Sequence, residues 1–305
     1  MIRNIKSIFI CSLLPILLVV SCKKEVKEIL PGDISGGVNF YNGSEVLNSR
    51  QSLRKNNLVF INDSVPNGPF LLFPKYQDVY TETSDLRQYP YNATGTIFPN
   101  PGFVPTGYQY MYYMPVALGN YKFIFSGTDK VFLKDIQTTL VARNELQSFY
   151  LVESPEAMDA YRIVKVPEEY QGTPGKVRIR IVHLGTDSQN LMLKQLDATG
   201  NLKTAGLPQD LAFGSFSGYT EIDTVGAARN SGNIILKISE KDAPNNVILS
   251  AAVPAEPNGS FVVLIQGFRQ ATSRRILTGH NADGSPVYEM LTVQPNFRAN
   301  LRRSY

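Results

Sequence analysis

Cysteine is nearly absent from this chain. The 305 residues hold two, Cys11 and Cys22, with two histidines and no tryptophan. Cys11 sits inside the N-terminal apolar run, so once that run is removed Cys22 stands alone. No disulfide framework or cysteine metal site can be built from one thiol. With only His183 and His280, a histidine-rich metal centre is excluded, and any Ser-His-Asp triad would have to use one of the two. Charge of either sign is also scarce: 30 Lys and Arg face 26 Asp and Glu, a net +4 that falls to about +2 without Arg3 and Lys6. No basic footprint for nucleic acid appears. The apolar run Ile8 to Val20 has 13 residues, too few to cross a bilayer core, which takes about 20 as a helix.

That short run has another use. Arg3 and Lys6 precede it, and Val19-Val20-Ser21-Cys22 follows, so the segment reads as a signal peptide with its h-region. The tetrad resembles the lipobox of bacterial lipoproteins, Bacteroidota-type lipoproteins among them. There the cysteine thiol takes a diacylglycerol and becomes the first residue of the mature protein. The resemblance implies a signal peptide over 1–21, lipidation at Cys22 and a tether over 22–35. Two or three acyl chains, at about 0.8 kcal/mol per methylene, hold a domain stably on a membrane. In such proteins an Asp after the cysteine favours inner-membrane retention. Here Lys23 stands there, which implies the outer membrane. Glu25 and Glu28 among lysines are a weak form of a surface-export signal, so inward and outward facing both stay open.

Beyond Leu30 the chain is a succession of short runs rich in Val, Ile, Phe and Tyr, bounded by Gly, Asn, Asp and Pro. This is the pattern of an all-β protein. In NYKFIFSG, Tyr121, Phe123 and Phe125 share one face and Lys122 and Ile124 the other. The pattern is also read twice. Segments starting at Asn120 and Asn233 both run strand, turn, strand, polar gap, then a Ser-Phe pair opening an aliphatic strand. Those pairs, Ser148-Phe149 and Ser260-Phe261, lie 112 residues apart. That spacing is too long for a solenoid repeat and suits a duplicated sandwich domain. The Pro- and Gly-rich stretch PEEYQGTPG makes 167–175 the linker between a first domain over 36–166 and a second over 176–298. An Asp-Gly turn is expected between strands at Arg275 to Thr278 and Val287 to Val293. The basic tail FRANLRRSY is expected to fray or pack on an edge.

KVRIRIVHLGTDSQNLMLKQL, then LAFGSFSGYTEI, then GSFVVLIQG resembles the domain of unknown function family 4397. Its members begin with a strand like VRVVHAS.D, continue with VDVYVNG, and carry an L.FG..S.Y turn before a hairpin. Arg178 to Leu184, Asp187, Leu211 to Tyr219 and Phe261 to Gly267 are the matching positions, within a match covering roughly 175–270. The first half matches only in strand order, with Asn57 to Asp63 in the VDVYVNG place. The resemblance implies two tandem immunoglobulin-like β-sandwich domains, common on secreted and lipid-anchored bacterial proteins, and brings no catalytic residue with it.

The candidate catalytic features each have a plainer explanation. GSFSG at 214–218 has Phe216 where a hydrolase elbow needs serine, and it precedes a strand rather than following one. His183 alternates within an apolar strand, as a hydrogen-bonded core histidine would. Asn281, Asp283 and Gly284 lack the further carboxylates of a calcium loop and suit a turn. No cofactor, metal or catalytic residue is assigned, and the chain is not expected to be an enzyme. Paired carboxylates from distant positions are the one arrangement sequence leaves open.

One segment stands apart. Eight of the 16 tyrosines fall between Tyr76 and Tyr113, among prolines and glycines, in an excursion far longer than an ordinary hairpin loop. Tyrosine gives binding loops rigid contact area with a polar tip. Tyr89, Tyr91, Tyr108 and Tyr110 are the candidate ligand-binding residues, for a polysaccharide or protein ligand. The alternative is a lid of rings packed over the first sandwich. The sequence therefore reads as a non-catalytic, lipid-anchored envelope protein that binds or interacts. Its rival is a structural or accessory subunit of an outer-membrane assembly with no soluble ligand.

Overall fold

The computed structural model describes residues 35–49, 57–61, 76–77, 109–111, 113–127, 132–169, 171–225 and 232–304. Within them the protein is all-β, its sheets packed face to face. The first half contributes β1 (Ser35–Asn42), a one-turn helix α1 (Glu45–Ser49), β2 (Asn57–Ile61), β3 (Tyr76–Gln77), β4 (Gln109–Tyr110), β5 (Met114–Ala117), β6 (Gly119–Gly127), β7 (Phe132–Leu140), β8 (Leu146–Glu153) and β9 (Tyr161–Glu168). The second contributes β10 (Lys176–Leu184), β11 (Leu191–Leu196), β12 (Leu202–Lys203), β13 (Thr220–Asp223), β14 (Asn233–Glu240), β15 (Val247–Pro254), β16 (Ser260–Gln266), β17 (Thr272–His280), β18 (Pro286–Val293) and β19 (Arg298–Arg303).

The same sheet order is built twice. The first half has sheets β5-β1-β8-β9 and β3-β2-β6-β7; the second has β13-β10-β16-β19 and β12-β11-β14-β15, with β4 added beside β19. In each half the opening strand lies parallel to a late one. Phe40 of β1 stands beside Phe149 of β8, and Ile179 of β10 beside Phe261 of β16. The repeated Ser-Phe pairs thus mark equivalent central strands. Alternation sets the faces: Phe123 and Phe125 are fully buried between the first two sheets. Leu191, Leu193, Ile234, Leu236 and Ile238 do the same in the second pair.

Two segments depart from the sequence reading. The basic tail, expected to fray or pack on an edge beyond a second domain ending at 298, packs as a strand of that domain's sheet: β19 pairs along β16 from Arg303 opposite Phe261 to Arg298 opposite Gln266. Ala299 and Leu301 of β19 pack on the core, and the alternate residue Arg302 is buried on the other face. Pro167 and Glu168, expected to open a linker, are the last residues of β9. The expected hairpin is present as β17 and β18, joined through Asp283 and Gly284, whose φ is +83.

A third apolar cluster joins the two sheet pairs. Tyr41, Tyr113, Tyr150 and Val152 of the first half pack with Val182, Leu184, Val262 and Leu264 of the second. Burying one Val or Leu stabilises by about 1.5–3 kcal/mol, so this joint is part of the core.

Candidate functional site

Of the residues singled out from sequence, Cys22, Tyr89, Tyr91 and Tyr108 lie outside the described residues. Tyr110 lies in β4, whose backbone runs parallel to β19 with Tyr110 opposite Arg303. One residue on, the Met111 N–H donates to the Arg303 carbonyl at 2.9 Å. Met111 and Tyr113 are then buried in the joint, so the C-terminal end of the tyrosine-rich excursion is core.

His183 is fully buried. The Gly185 N–H donates to its Nδ1 at 3.2 Å, which places the ring proton on Nε2, facing the Gln189 carbonyl and Ser188 Oγ, each at 3.2 Å. Ser188 Oγ donates in turn to the Gly185 carbonyl at 3.1 Å. The imidazole therefore offers a donor where a serine nucleophile would need an acceptor. Burial lowers its pKa to about 4, and the neutral ring holds its loop. Asp187 serves the same loop by accepting from the backbone N–H groups of Arg269 and Gln270, at 2.8–2.9 Å.

The GSFSG stretch is a turn laid along β10. His183 N–H donates to the Ser215 carbonyl, Gly214 N–H to the His183 carbonyl, and Ser217 N–H to the Ile181 carbonyl. Gly214 has φ +72, and a Cβ there would stand 2.7 Å from the Arg162 guanidinium carbon. The positive φ favours glycine here, while the tip of the flexible Arg162 side chain could move aside for a Cβ. Asp283 accepts from the backbone N–H and hydroxyl of Ser285 at 2.9 and 2.6 Å, as a turn residue does.

The densest polar constellation was not foreseen. It lies in the joint, where Glu168 at the end of β9 has no exposed side-chain surface. Arg180 of β10 donates to Glu168 Oε2 at 2.9 Å and to the Pro167 carbonyl. The Tyr219 hydroxyl reaches the same carboxylate at 3.0 Å and the Tyr150 hydroxyl at 3.4 Å. Both guanidinium groups of Arg178 and Arg180 lie over the Tyr219 ring, at 4.4 and 4.1 Å. On the far side Arg302 donates to Asn39 at 2.9 Å and covers the Tyr41 ring at 4.7 Å. Burial pushes Glu168 up to about 7, opposed by Arg180, Tyr219 and Arg302. Burial and the nearby Glu168 raise Tyr113, Tyr150 and Tyr219 too. A shifted carboxylate beside arginine and tyrosine is a common catalytic signature. Enclosed on every side, this one is a hydrogen-bonded clamp between two sheets.

A second clamp centres on α1. Ser44 caps it, accepting from the Leu47 N–H at 3.1 Å and donating to Glu153 at 2.6 Å. Glu45 accepts from Arg298 at 2.7 Å and Asn296 at 2.6 Å, tying the first helix to the chain around β19.

Elsewhere a hollow of about 370 Å³ lies on the β6–β7 ladder between Asn120, Lys122, Gln137 and Thr139. Among the described residues no group of three His, Cys, Asp or Glu side chains is placed to hold a metal ion. Among them, too, no helix is long and apolar enough to cross a membrane.

No family model matches the chain, and no curated protein does. Among solved structures, one similar chain is from the product complex of a multi-modular glycogen-degrading pneumococcal virulence factor, SpuA, at 11% identity and a TM-score of 0.21. That match covers 88% of this chain and 27% of the other, so the protein spans about a quarter of the length of that relative.

Proposed function

We propose that this protein is a lipid-anchored component of the bacterial outer membrane, held by Cys22, in which two tandem immunoglobulin-like sandwiches of the 4397 type act as a non-catalytic binding or interaction module. The observation that carries the reading is the joint. Among the described residues, Glu168, Arg180, Tyr219, Arg302 and Asn39 bond to one another and hold two sheet pairs together. What results is a braced mount, and the tyrosine-rich stretch lies in sequence between its strands β3 and β4. Polysaccharide or protein is the ligand class that tyrosine rings and hydroxyls suit. The stiffness of the same joint also favours the second reading, an accessory subunit that spaces or braces an outer-membrane assembly.

Cys22→Ser is expected to release the protein from membranes or leave an unprocessed precursor. A fully processed variant that still sediments with membranes would refute the anchor. In the released form, changing Tyr89, Tyr91, Tyr108 and Tyr110 together to Ser is expected to abolish retention on envelope glycan or protein fractions. Unfolding should stay within about 1–2 kcal/mol of the parent, as for surface sites. A collapse in stability would instead mark the rings as packing, since one buried aromatic lost costs about 3–5 kcal/mol.

A further inference from the structure

The two faces that meet in the joint are nearly the same face. Tyr150 and Val152 of β8 stand 112 residues before Val262 and Leu264 of β16, and all four lie in the shared cluster. The polar contacts at its borders repeat crosswise. Arg302 of β19 bonds Asn39 of β1 at 2.9 Å, while Arg180 of β10 bonds Glu168 of β9 at 2.9 Å. Strands β1 and β10 hold one place in the sheet order, and β9 and β19 another. At the strand ends, the Tyr41 hydroxyl bonds Gln266 at 3.2 Å and Thr186 Oγ1 bonds the Glu153 carbonyl at 3.2 Å. Element i of one half touches element j of the other, and j touches i. That is the contact pattern of a two-fold, self-complementary dimer interface.

The excursions repeat the exchange. The first half lends β4 to the edge of the second half's sheet, beside β19. The second half lends the β17–β18 hairpin to the turn between β8 and β9. There Arg274 donates to the Ser154 and Ala160 carbonyls at 3.1 and 2.9 Å, and the Arg275 N–H donates to the Met158 carbonyl at 3.0 Å. The covalent connection, by contrast, exposes Gln171, Pro174 and Gly175.

Resting on the tandem-sandwich reading, we infer that the joint is a homodimer-type interface carried within one chain. Its partner is a sandwich of the same strand order, and each half stays bound through that face rather than through residues 169–175. The test uses the full mature chain with Cys22→Ser and a specific protease site in place of residues 171–174. After cutting, both fragments are expected to sediment as one particle of the uncut mass and to unfold in a single transition. Val262→Ser and Tyr150→Ser, at equivalent positions, should each weaken fragment association by tenfold or more, whereas Val225→Ser, 91% exposed, should not.

Fragments that part at micromolar concentration while each keeps its β-sheet dichroism would overturn the inference and leave the tandem reading standing. Fragments that part and lose their sheet would overturn both. Fragments whose association ignores Val262→Ser and Tyr150→Ser would overturn the assignment of this face.

Discussion

The two halves share a strand order but fill it differently. Between the first pair of sheets the core is aromatic. The Phe40 ring lies 5.0 Å from Phe123, 5.8 Å from Phe125 and 5.6 Å from Phe149, mostly edge to face. Between the second pair it is built from Val, Ile and Leu around Phe261. One topology therefore tolerates either chemistry so long as volume and alternation are kept. The halves differ also where their outer strands join. Between β8 and β9 the chain turns within 154–160, whereas between β16 and β19 it makes the β17–β18 hairpin first. The second half thus receives its last strand late, and the hairpin packs Val46 of α1 against Phe268, Ile276 and Val293.

The hardest break in this comparison is to remove β19. Truncation after Phe297 leaves β16 without its antiparallel partner along six registered pairs and takes away Arg302 and Ser304, both buried. The expected outcome is loss of the chain's cooperative unfolding transition, read by thermal melting with near-ultraviolet dichroism. A truncated chain melting within a few degrees of the full one would return β19 to the status of a loose tail.

A finer comparison sets Phe149→Ala beside Phe261→Ala, two fully buried rings at equivalent positions. Large-to-small changes of this kind cost about 3–5 kcal/mol. Phe149 also loses ring contacts to Phe40 and to Phe123, at 5.6 and 5.0 Å, and such pairs add about 0.5–1.5 kcal/mol. Phe261 in turn loses the Arg303 guanidinium held 5.5 Å over its ring, a contact of similar size, so denaturant melts should place the two variants within about 1 kcal/mol of one another. A wider gap would mean that one of the two cores collapses better around its cavity.

Much of the strand framework was legible because period-two alternation and the Ser-Phe repeat are local signals. β19 was not read as a strand, although Ala299 and Leu301 alternate with polar residues. Its arginines suggested solvent, and what buries Arg302 is a bond to Asn39, 263 residues away in sequence. Glu168 was read as linker for the same reason: a carboxylate between proline and glycine gives no sign of Arg180 and Tyr219 closing over it. The residues of the GSFSG turn and the strands beside it were visible, but their role was not. Tyr219 proves to be the ring that two arginines cover, and Phe213 meets His183 edge-on at 6.1 Å. Pairing between faces depends on three-dimensional register, which no local pattern carries.

The smallest effect concerns two buried groups of opposite sign, one in the joint and one in the second half. Glu168 has its pKa raised to about 7 by burial, so its contribution is fully present below the unfolded value and is lost as pH rises through about 7. His183 has its pKa lowered to about 4 by burial, so its contribution is present above the unfolded value near 6.5 and is lost as pH falls through about 4. Between roughly pH 4.5 and 6.5 the two slopes oppose one another, each at about 1.4 kcal/mol per pH unit at most. In the parent the Glu168 and His183 contributions should nearly cancel there, and the Glu168 contribution should go on falling until about pH 7. Glu168→Gln keeps the shape and a hydrogen-bonding carbonyl while removing the titration. Glu153, also raised by burial, is common to both proteins and drops out of the difference. Urea unfolding of the variant between pH 4 and 8 should lose the decline above pH 6.5 and expose the His183 slope, with stability falling on acidification. A variant whose profile parallels the parent's would mean that Glu168 stays ionised throughout, its burial fully offset by Arg180, Tyr219 and Arg302.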